Sequence, residues 1–200
     1  MGWTWFGKEY CKLNKRGNID RKATMTHELE SYGDVQVVRA QMVSSTYYAV
    51  IKRKRDGEHM LIVCLTQVDN NWRSPENFGY KDMDDSMGPY ERDCPKPILD
   101  LADELCPPTN EWARKWREDC RENLRVKNSP TAFKNVRPGE SVLWHVPEES
   151  RLMMGGESLA GKTMRLTKVK GRRSWIHKGL WSTRIPTKYV SPKDCEILEA

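Results

Sequence analysis

The chain has 200 residues, enough for one or two domains that each bury a core. Only 38% of its residues are hydrophobic and 31% are charged, but eight tryptophans and seven tyrosines add apolar area that can be buried. The formal net charge of +6 favours an anionic partner, and no run approaches the roughly 20 apolar residues of a membrane-spanning helix.

The first residues of the chain do not match the pattern of a targeting segment. It lacks the basic region followed by an apolar stretch that marks a signal peptide. Gly2 does not fit a myristoylation site, because Phe6 stands where Ser or Thr is required. We therefore expect a cytoplasmic protein with no membrane partner.

The first predicted elements are one helix and three strands. The helix is expected over Arg21–Tyr32, immediately before Gly33. Segments rich in β-branched and aromatic residues then predict strands at Val35–Val43, 46–54 and His59–Val68. A hairpin turn at Asp56-Gly57 joins the last two, so we expect an antiparallel sheet.

The middle of the chain predicts a loop-rich stretch and then two helices. Pro and Gly punctuate residues 72–97, and helices are expected at Lys96–Leu105 and 110–126. In the second helix an apolar residue recurs every four positions: Trp112, Trp116, Cys120 and Leu124. A stripe this short more often covers a sheet than binds a partner.

After Glu140 the pattern changes to short strands separated by Gly or Pro. They are predicted at 141–146, 162–169, Ser174–Lys178 and 183–190. This spacing favours a small SH3-like curled β-sheet or barrel. The predicted fold class is therefore α+β, with an antiparallel sheet covered by helices over residues 1–136 and a small basic β domain over 137–200.

Metal and disulfide chemistry have little support in the sequence. The six cysteines are scattered, with no C-x-x-C pair and no histidine pair at metal-binding spacing. His27-Glu28 begins like the helix of a zinc protease, but Ser31 stands where the second histidine is required. We expect reduced, buried thiols, no metal and no cofactor.

The residues from Gly156 to Thr163 match the P-loop pattern G-x-x-x-x-G-K-[ST]. A P-loop needs a buried parallel strand before it and a helix that opens at its end, so that the helical amides face the phosphate. The residues from Met164 to Lys170 instead alternate as a strand does. We expect a glycine turn that leads into a strand, without a nucleotide site.

Acidic residues concentrate in the segment 82–93. It resembles a calcium loop, but Gly88 falls one place late and no Glu stands at the twelfth position. Paired carboxylates could also serve acid–base catalysis, yet nothing in the sequence places two of them around a substrate. The acidic residues are Asp82, Asp84, Asp85, Glu91 and Asp93, and we assign none of them a catalytic role.

The positive charge is concentrated at the two ends of the chain. Residues 1–60 carry a net charge of +4, residues 61–136 carry −3 and residues 137–200 carry +5. The segment 168–184 interleaves cations with tryptophans, a combination that neutralises phosphates and stacks unpaired bases. Alternatively, Trp175 and Trp181 are core residues and the cations only keep the unit soluble.

We assign two groups of residues to nucleic-acid or partner binding. The first group is Lys168, Lys170, Arg172, Arg173, Trp175, Lys178, Trp181 and Arg184. The second is the cluster Lys52, Arg53, Lys54 and Arg55, which either extends the same surface or is a solvated turn.

Several phrases of the chain are together distinctive. They include Met1-Gly-Trp-Thr, GNIDRKA from Gly17, MVSSTYYAVIK from Met42 and NFGYKDMDDSMGPY from Asn77. These phrases resemble an uncharacterised domain family of phages and conjugative elements, over about residues 1–136. The resemblance implies a mobile-element protein in the host-cell cytoplasm, and it supplies no activity, catalytic residue or cofactor.

Three functions follow as hypotheses. The first is a non-enzymatic accessory protein that binds nucleic acid through its basic C-terminal unit. The second is an inhibitor of a host defence protein, of the anti-restriction or anti-CRISPR type, that binds an acidic surface of that partner through the same basic unit or through the loop 72–97. The third, more remote, is an enzyme that uses the acidic loop 82–93.

Overall fold

The computed structural model describes residues 4–68, 77–84, 91–171, 173–178 and 182–198. The chain divides into two compact units, Met1–Leu124 and Arg125–Ala200. This boundary precedes the one predicted after residue 136, because residues 131–136 pack into the second unit. Phe133 and Val136 join its core, and the hydroxyl of Thr131 donates to the carbonyl of Pro192 at 2.7 Å.

The N-terminal unit combines five strands with helices. Its elements are β1 (Thr4–Phe6), α1 (Arg21–Tyr32), β2 (Val35–Val43), β3 (Thr46–Arg53), β4 (His59–Val68), β5 (Phe78–Asp84), α2 (Lys96–Leu105) and α3 (Glu111–Asn128), the last turn of which falls in the second unit. The strands form one antiparallel sheet in the order β1-β5-β4-β3-β2. The predicted α+β class and N-terminal antiparallel sheet are confirmed.

Strand β3 lies at the centre of the N-terminal unit because its side chains alternate between two buried layers. Tyr47 packs on one face with Met25 of α1, and Tyr48 packs on the other with Ile98 of α2 and Trp116 of α3. The sheet of this unit therefore lies between α1 on one side and α2 and α3 on the other. The predicted stripe packs on the sheet in part: Trp116, Cys120 and Leu124 join this core, and the Trp116 ring lies 6.5 Å from the ring of Tyr48. Trp112 is 39% exposed and stacks on Trp116 instead.

Two strands of the N-terminal sheet were not predicted. β1 is short, and β5 lies in the stretch that we expected to be loop. Gly79, opposite Trp5 in the register, disfavours a strand by propensity. A Cβ at Gly79 would lie 2.5 Å from the Trp5 ring, so the missing side chain is what allows the ring to lie over β5.

The C-terminal unit is built on a second antiparallel sheet. Its strands are β6 (Ser141–His145), β7 (Met153–Met154), β8 (Glu157–Ser158), β9 (Thr163–Lys168), β10 (Ser174–Lys178), β11 (Ser182–Pro186) and β12 (Cys195–Ile197). The five-stranded sheet has the order β11-β10-β9-β6-β12, and β7 pairs with β8 as a separate hairpin. Among the described strands the sheet stays open between β11 and β12, so the barrel form of the predicted SH3-like curled β-sheet or barrel is not confirmed.

One face of the C-terminal sheet carries the core of this unit. Trp144 on β6, Leu166 on β9 and Trp175 on β10 are fully buried there, and Ile185 on β11 is nearly so. Since successive side chains of a strand point to opposite faces, the alternate residues of the same strands form the other face. No helix among the described residues is long and apolar enough to span a membrane.

Candidate functional site

The candidate site is the face of the C-terminal sheet opposite its core, which we call the outer face. We define it by the residues that alternate with the core residues on β6, β9, β10, β11 and β12. They include Ser141, Leu143, His145, Thr163, Arg165, Thr167, Ile176, Arg184 and Glu196.

The strand register arranges the outer face in rows. One row runs Ser141, Thr167, Ile176, Arg184 from β6 to β11, and the next runs Glu196, Leu143, Arg165 from β12 to β9. The third row pairs His145 with Thr163. Neighbouring rows are two residues apart, which is about 7 Å along a strand.

Among the described side chains of the outer face, Arg165 and Arg184 are exposed cations. The guanidinium group of neither residue makes a hydrogen bond or ion pair with a residue that the structure describes. Their strands β9 and β11 are separated by β10, and the two residues lie in neighbouring rows. Two strand spacings and one row spacing place their Cα atoms on the order of 12 Å apart. Both guanidinium groups are therefore available to anions at the surface.

The connection between β9 and β10 adds further exposed cations at one end of the sheet. Lys170 and Arg173 are exposed there, and neither has a polar partner within the described part of the chain.

The C-terminal unit as a whole is strongly basic: residues 125–200 contain 15 Lys and Arg against 7 Asp and Glu, a net charge of +8. Residues 1–124 contain 19 against 21, a net charge of −2, so the attraction for polyanions belongs to the second unit.

At the other side of the outer face, a histidine is held by two partners. His145 Nδ1 lies 3.2 Å from Oγ1 of Thr163, and its Nε2 lies 3.3 Å from Oε1 of Glu196. The side chains of His145 and Glu196 are 47% and 69% exposed. The imidazole ring is thus fixed in orientation and open to solvent.

Two predicted site residues have structural roles instead. Lys168 Nζ donates to the carbonyls of Phe133 and Val136 and lies 4.4 Å from the centre of the Phe133 ring. Trp175 is 1% exposed and its ring meets the Phe133 ring edge-on at 5.0 Å. A base needs an exposed ring face and a phosphate needs an available ammonium, so we withdraw both residues as contacts of a nucleic acid.

Three other predicted residues of the basic segment have no described side chain. Arg172 and Trp181 lie outside the described residues, and Lys178 is described only as the last residue of β10. Their assignment to nucleic-acid or partner binding stays a prediction.

The cluster from Lys52 to Arg55 is engaged mainly within its own turn. Arg53 binds Asp56 at 3.1 Å and also pairs with Glu58, while Arg55 Nε lies 3.3 Å from Asp56. Lys54 Nζ donates to the carbonyl of Glu30 at 3.4 Å. The carboxylates of Asp56 and Glu58 therefore compensate about half of the charge of this cluster, that of Arg53 and Arg55, and Lys52 has no such partner among the described residues.

Arg165 is a surface residue that the sequence interpretation missed. The signal was present, because Met164, Arg165 and Leu166 alternate between core and solvent. The same alternation places Lys168 on the side of Met164 and Leu166, toward the core.

The P-loop match does not form a phosphate cradle. Strand β9 begins at Thr163, where a P-loop would open a helix, and Lys162 Nζ lies 2.9 Å from Oε2 of Glu157. Gly161 has a φ of +69°, the left-handed conformation of a turn. The expected glycine turn into a strand is confirmed.

The acidic segment is only partly a loop. Asp82 and Asp84 belong to strand β5, and residues 85–90, with Asp85, lie outside the described residues. Asp93 accepts a hydrogen bond from the buried hydroxyl of Tyr48. The backbone carbonyl of Glu91 accepts a hydrogen bond from the indole N–H of Trp116 at 2.9 Å. These contacts attach residues 91–93 to β3 and α3.

All six cysteines are present as thiols. Burial raises the pKa of Cys120 to about 11 and that of Cys195 to about 12, so these two thiols are protonated at neutral pH and are poor nucleophiles. In the described ranges, no three His, Cys, Asp or Glu side chains come together as a metal site requires.

Comparison of the chain with protein-family models, with curated proteins and with solved structures finds no match in any of the three. The function is therefore inferred from the geometry and charge of the outer face itself.

Proposed function

We propose that the protein is a non-enzymatic accessory protein of a phage or mobile element that binds nucleic acid through the outer face of its C-terminal sheet. One observation carries the proposal: two exposed arginines without a described partner, Arg165 and Arg184, share an open sheet face in a unit with a net charge of +8. The mobile-element origin rests on the resemblance of the N-terminal phrases.

The physical basis is the exchange of counterions for protein cations. A polyanion is surrounded by condensed counterions, and each phosphate that a Lys or Arg neutralises releases them into solution. Arg165 and Arg184, with Lys170 and Arg173 at the end of the sheet, provide four such groups. With four phosphate contacts, the logarithm of the binding constant should fall with the logarithm of salt with a slope of about −3 to −4.

The proposal is tested by fluorescence anisotropy of labelled oligonucleotides between 50 and 200 mM salt. For four contacts we expect the affinity to fall about 50- to 150-fold over this range. The variant Arg165→Ala/Arg184→Ala should bind at least about tenfold more weakly and lower the slope by about 2. The control Lys12→Ala/Lys22→Ala removes the same charge from exposed positions of the N-terminal unit and should leave the affinity within about twofold.

The same face would suit an acidic protein surface, as in the inhibitor hypothesis. Equal losses in the two double variants, or no binding to any oligonucleotide, would contradict the nucleic-acid proposal. Retention of one host protein after nuclease treatment, lost with Arg165→Ala/Arg184→Ala, would then support the inhibitor. A relationship of this sheet to SH3-like folds stays a prediction.

A further inference from the structure

The outer face is asymmetric in charge. Its cations Arg165 and Arg184 lie on β9 and β11, whereas the carboxylate of Glu196 lies on β12 at the opposite edge. Five strands span about 19 Å between these edges. A ligand whose phosphates covered the whole face would place some of them against Glu196.

The acidic side of the face also carries the fixed ring of His145. Contacts from both ring nitrogens, to Thr163 and Glu196, hold the imidazole while its side chain stays 47% exposed. An aromatic ring whose orientation is already set loses little conformational entropy when a base stacks on it. Histidine is one of the residues on which unpaired bases stack in RNA-binding proteins.

Apolar side chains alternate with the cations across the outer face, and Arg165 lies one strand and one row from His145. Leu143 stands next to Arg165 in its row, Ile176 stands next to Arg184, and both are half-buried. Aliphatic groups suit the faces of unpaired bases and gain nothing from phosphates. Cations interleaved with apolar groups and a hydrogen-bonded ring therefore match a ligand that offers both phosphates and unpaired bases.

Resting on the proposed function, we infer that the outer face binds single-stranded nucleic acid, with phosphates on Arg165 and Arg184 and an unpaired base stacked on His145. A duplex keeps its bases stacked inside and offers mainly its backbone to a flat surface. Protein elements that read a duplex enter its major groove as a helix or a two-stranded ribbon. In the described part of the outer face the exposed groups lie on the sheet itself, so a single strand is the better fit.

The experiment measures binding of three labelled probes of one mixed sequence: a 12-nucleotide DNA strand, the RNA strand, and the DNA duplex. We expect at least one single strand to bind tenfold or more tightly than the duplex. The variant His145→Ala should weaken single-strand binding at least about fivefold, the lower end for loss of one stacked base. The same variant should change duplex binding less than twofold.

Two further substitutions separate stacking from a merely structural role of the histidine. His145→Phe keeps an aromatic ring and loses the polar contacts, so it should restore single-strand affinity to within about twofold. His145→Gln keeps hydrogen-bonding capacity and loses the ring, so it should behave as His145→Ala does. Thermal unfolding of each variant establishes that the comparison is made on folded protein.

The possible results distinguish the single-strand inference from the proposed nucleic-acid function. Tighter binding to the duplex, or rescue by His145→Gln but not by His145→Phe, would overturn the single-strand inference and leave the nucleic-acid function standing. Failure of all three probes to bind would overturn both.

Discussion

Lys168 should stabilise the C-terminal unit rather than bind a ligand, and the variant Lys168→Met tests this. The ammonium donates to the carbonyl of Val136 at 2.7 Å and to that of Phe133, and it lies 4.4 Å from the Phe133 ring. Methionine keeps much of the aliphatic stem and removes only the charge and the donors. The change therefore isolates the polar contacts.

The expected loss of stability in Lys168→Met follows from those contacts. A hydrogen bond to a charged group contributes about 1.5–3 kcal/mol, and a cation over an aromatic ring about 0.5–2 kcal/mol. The loss is smaller than their sum, because water can solvate the released carbonyls in part. We expect Lys168→Met to lower the free energy of unfolding by about 2–4 kcal/mol, a large part of the roughly 5–15 kcal/mol that holds a typical domain.

The assay is urea unfolding at pH 7, with Lys170→Met as the matched control. Lys170 is two residues away, exposed and without a polar partner among the described residues, so its loss should change stability by less than about 0.5 kcal/mol. Binding should respond in the reverse order, since Lys170 is an available cation. Unchanged stability in Lys168→Met, together with a loss of affinity equal to that of Lys170→Met, would refute this assignment.

Three further predictions concern the N-terminal unit and the glycine turn. Asp103→Ala removes the carboxylate that lies 3.1 Å from the buried guanidinium of Arg117, and it should lower the free energy of unfolding by about 1–3 kcal/mol. Urea unfolding measures this loss, and the exposed control Glu104→Ala should not show it. Burial raises the pKa of Tyr47 to about 12, so its contribution to stability is complete below pH 10 and is lost as the pH rises from 10 to 12. The free energy of unfolding, measured from pH 8 to 12, should therefore fall less steeply with pH in Tyr47→Phe than in the wild type. An equal dependence on pH in the two proteins would contradict the raised pKa of Tyr47. Lys162→Ala should leave ATP affinity unchanged and undetectable by calorimetry, whereas ATP binding that this variant abolishes would restore the P-loop interpretation.

Local patterns predicted the elements that local interactions determine. Helix α1 was predicted at its observed bounds because Gly33 ends it, and the structure adds an N-cap bond from the Ala23 amide to the Asp20 carboxylate at 3.0 Å. The strands β2, β4 and β10 were also predicted at their observed bounds. Their β-branched and aromatic runs reflect burial that can be read from neighbouring residues.

The candidate site was only partly predictable, because residue type was given more weight than alternation. A segment rich in Lys, Arg and Trp suggested one continuous surface, yet a strand sends neighbouring side chains to opposite faces. Lys168 and Trp175 therefore point to the core side, and Arg165 reaches the outer face. Counting positions from the buried Met164 would have separated these residues.

Other parts of the site depend on strand register, which no local pattern specifies. His145 meets Thr163 18 residues along the chain, and it meets Glu196 on a three-residue strand that was not predicted. Such a short strand carries too few residues for a recognisable alternation. Its place in the sheet comes from pairing with β6, a non-local contact.

Chemical-shift mapping of the backbone amides, during titration with the 12-nucleotide strand, tests whether the outer face is the binding surface. We expect shifts that cluster on the outer face, at Leu143, His145, Arg165 and Arg184, with the core residue Trp144 and the N-terminal unit little changed. Shifts confined to residues 1–124, or no shifts at concentrations where anisotropy reports binding, would contradict it.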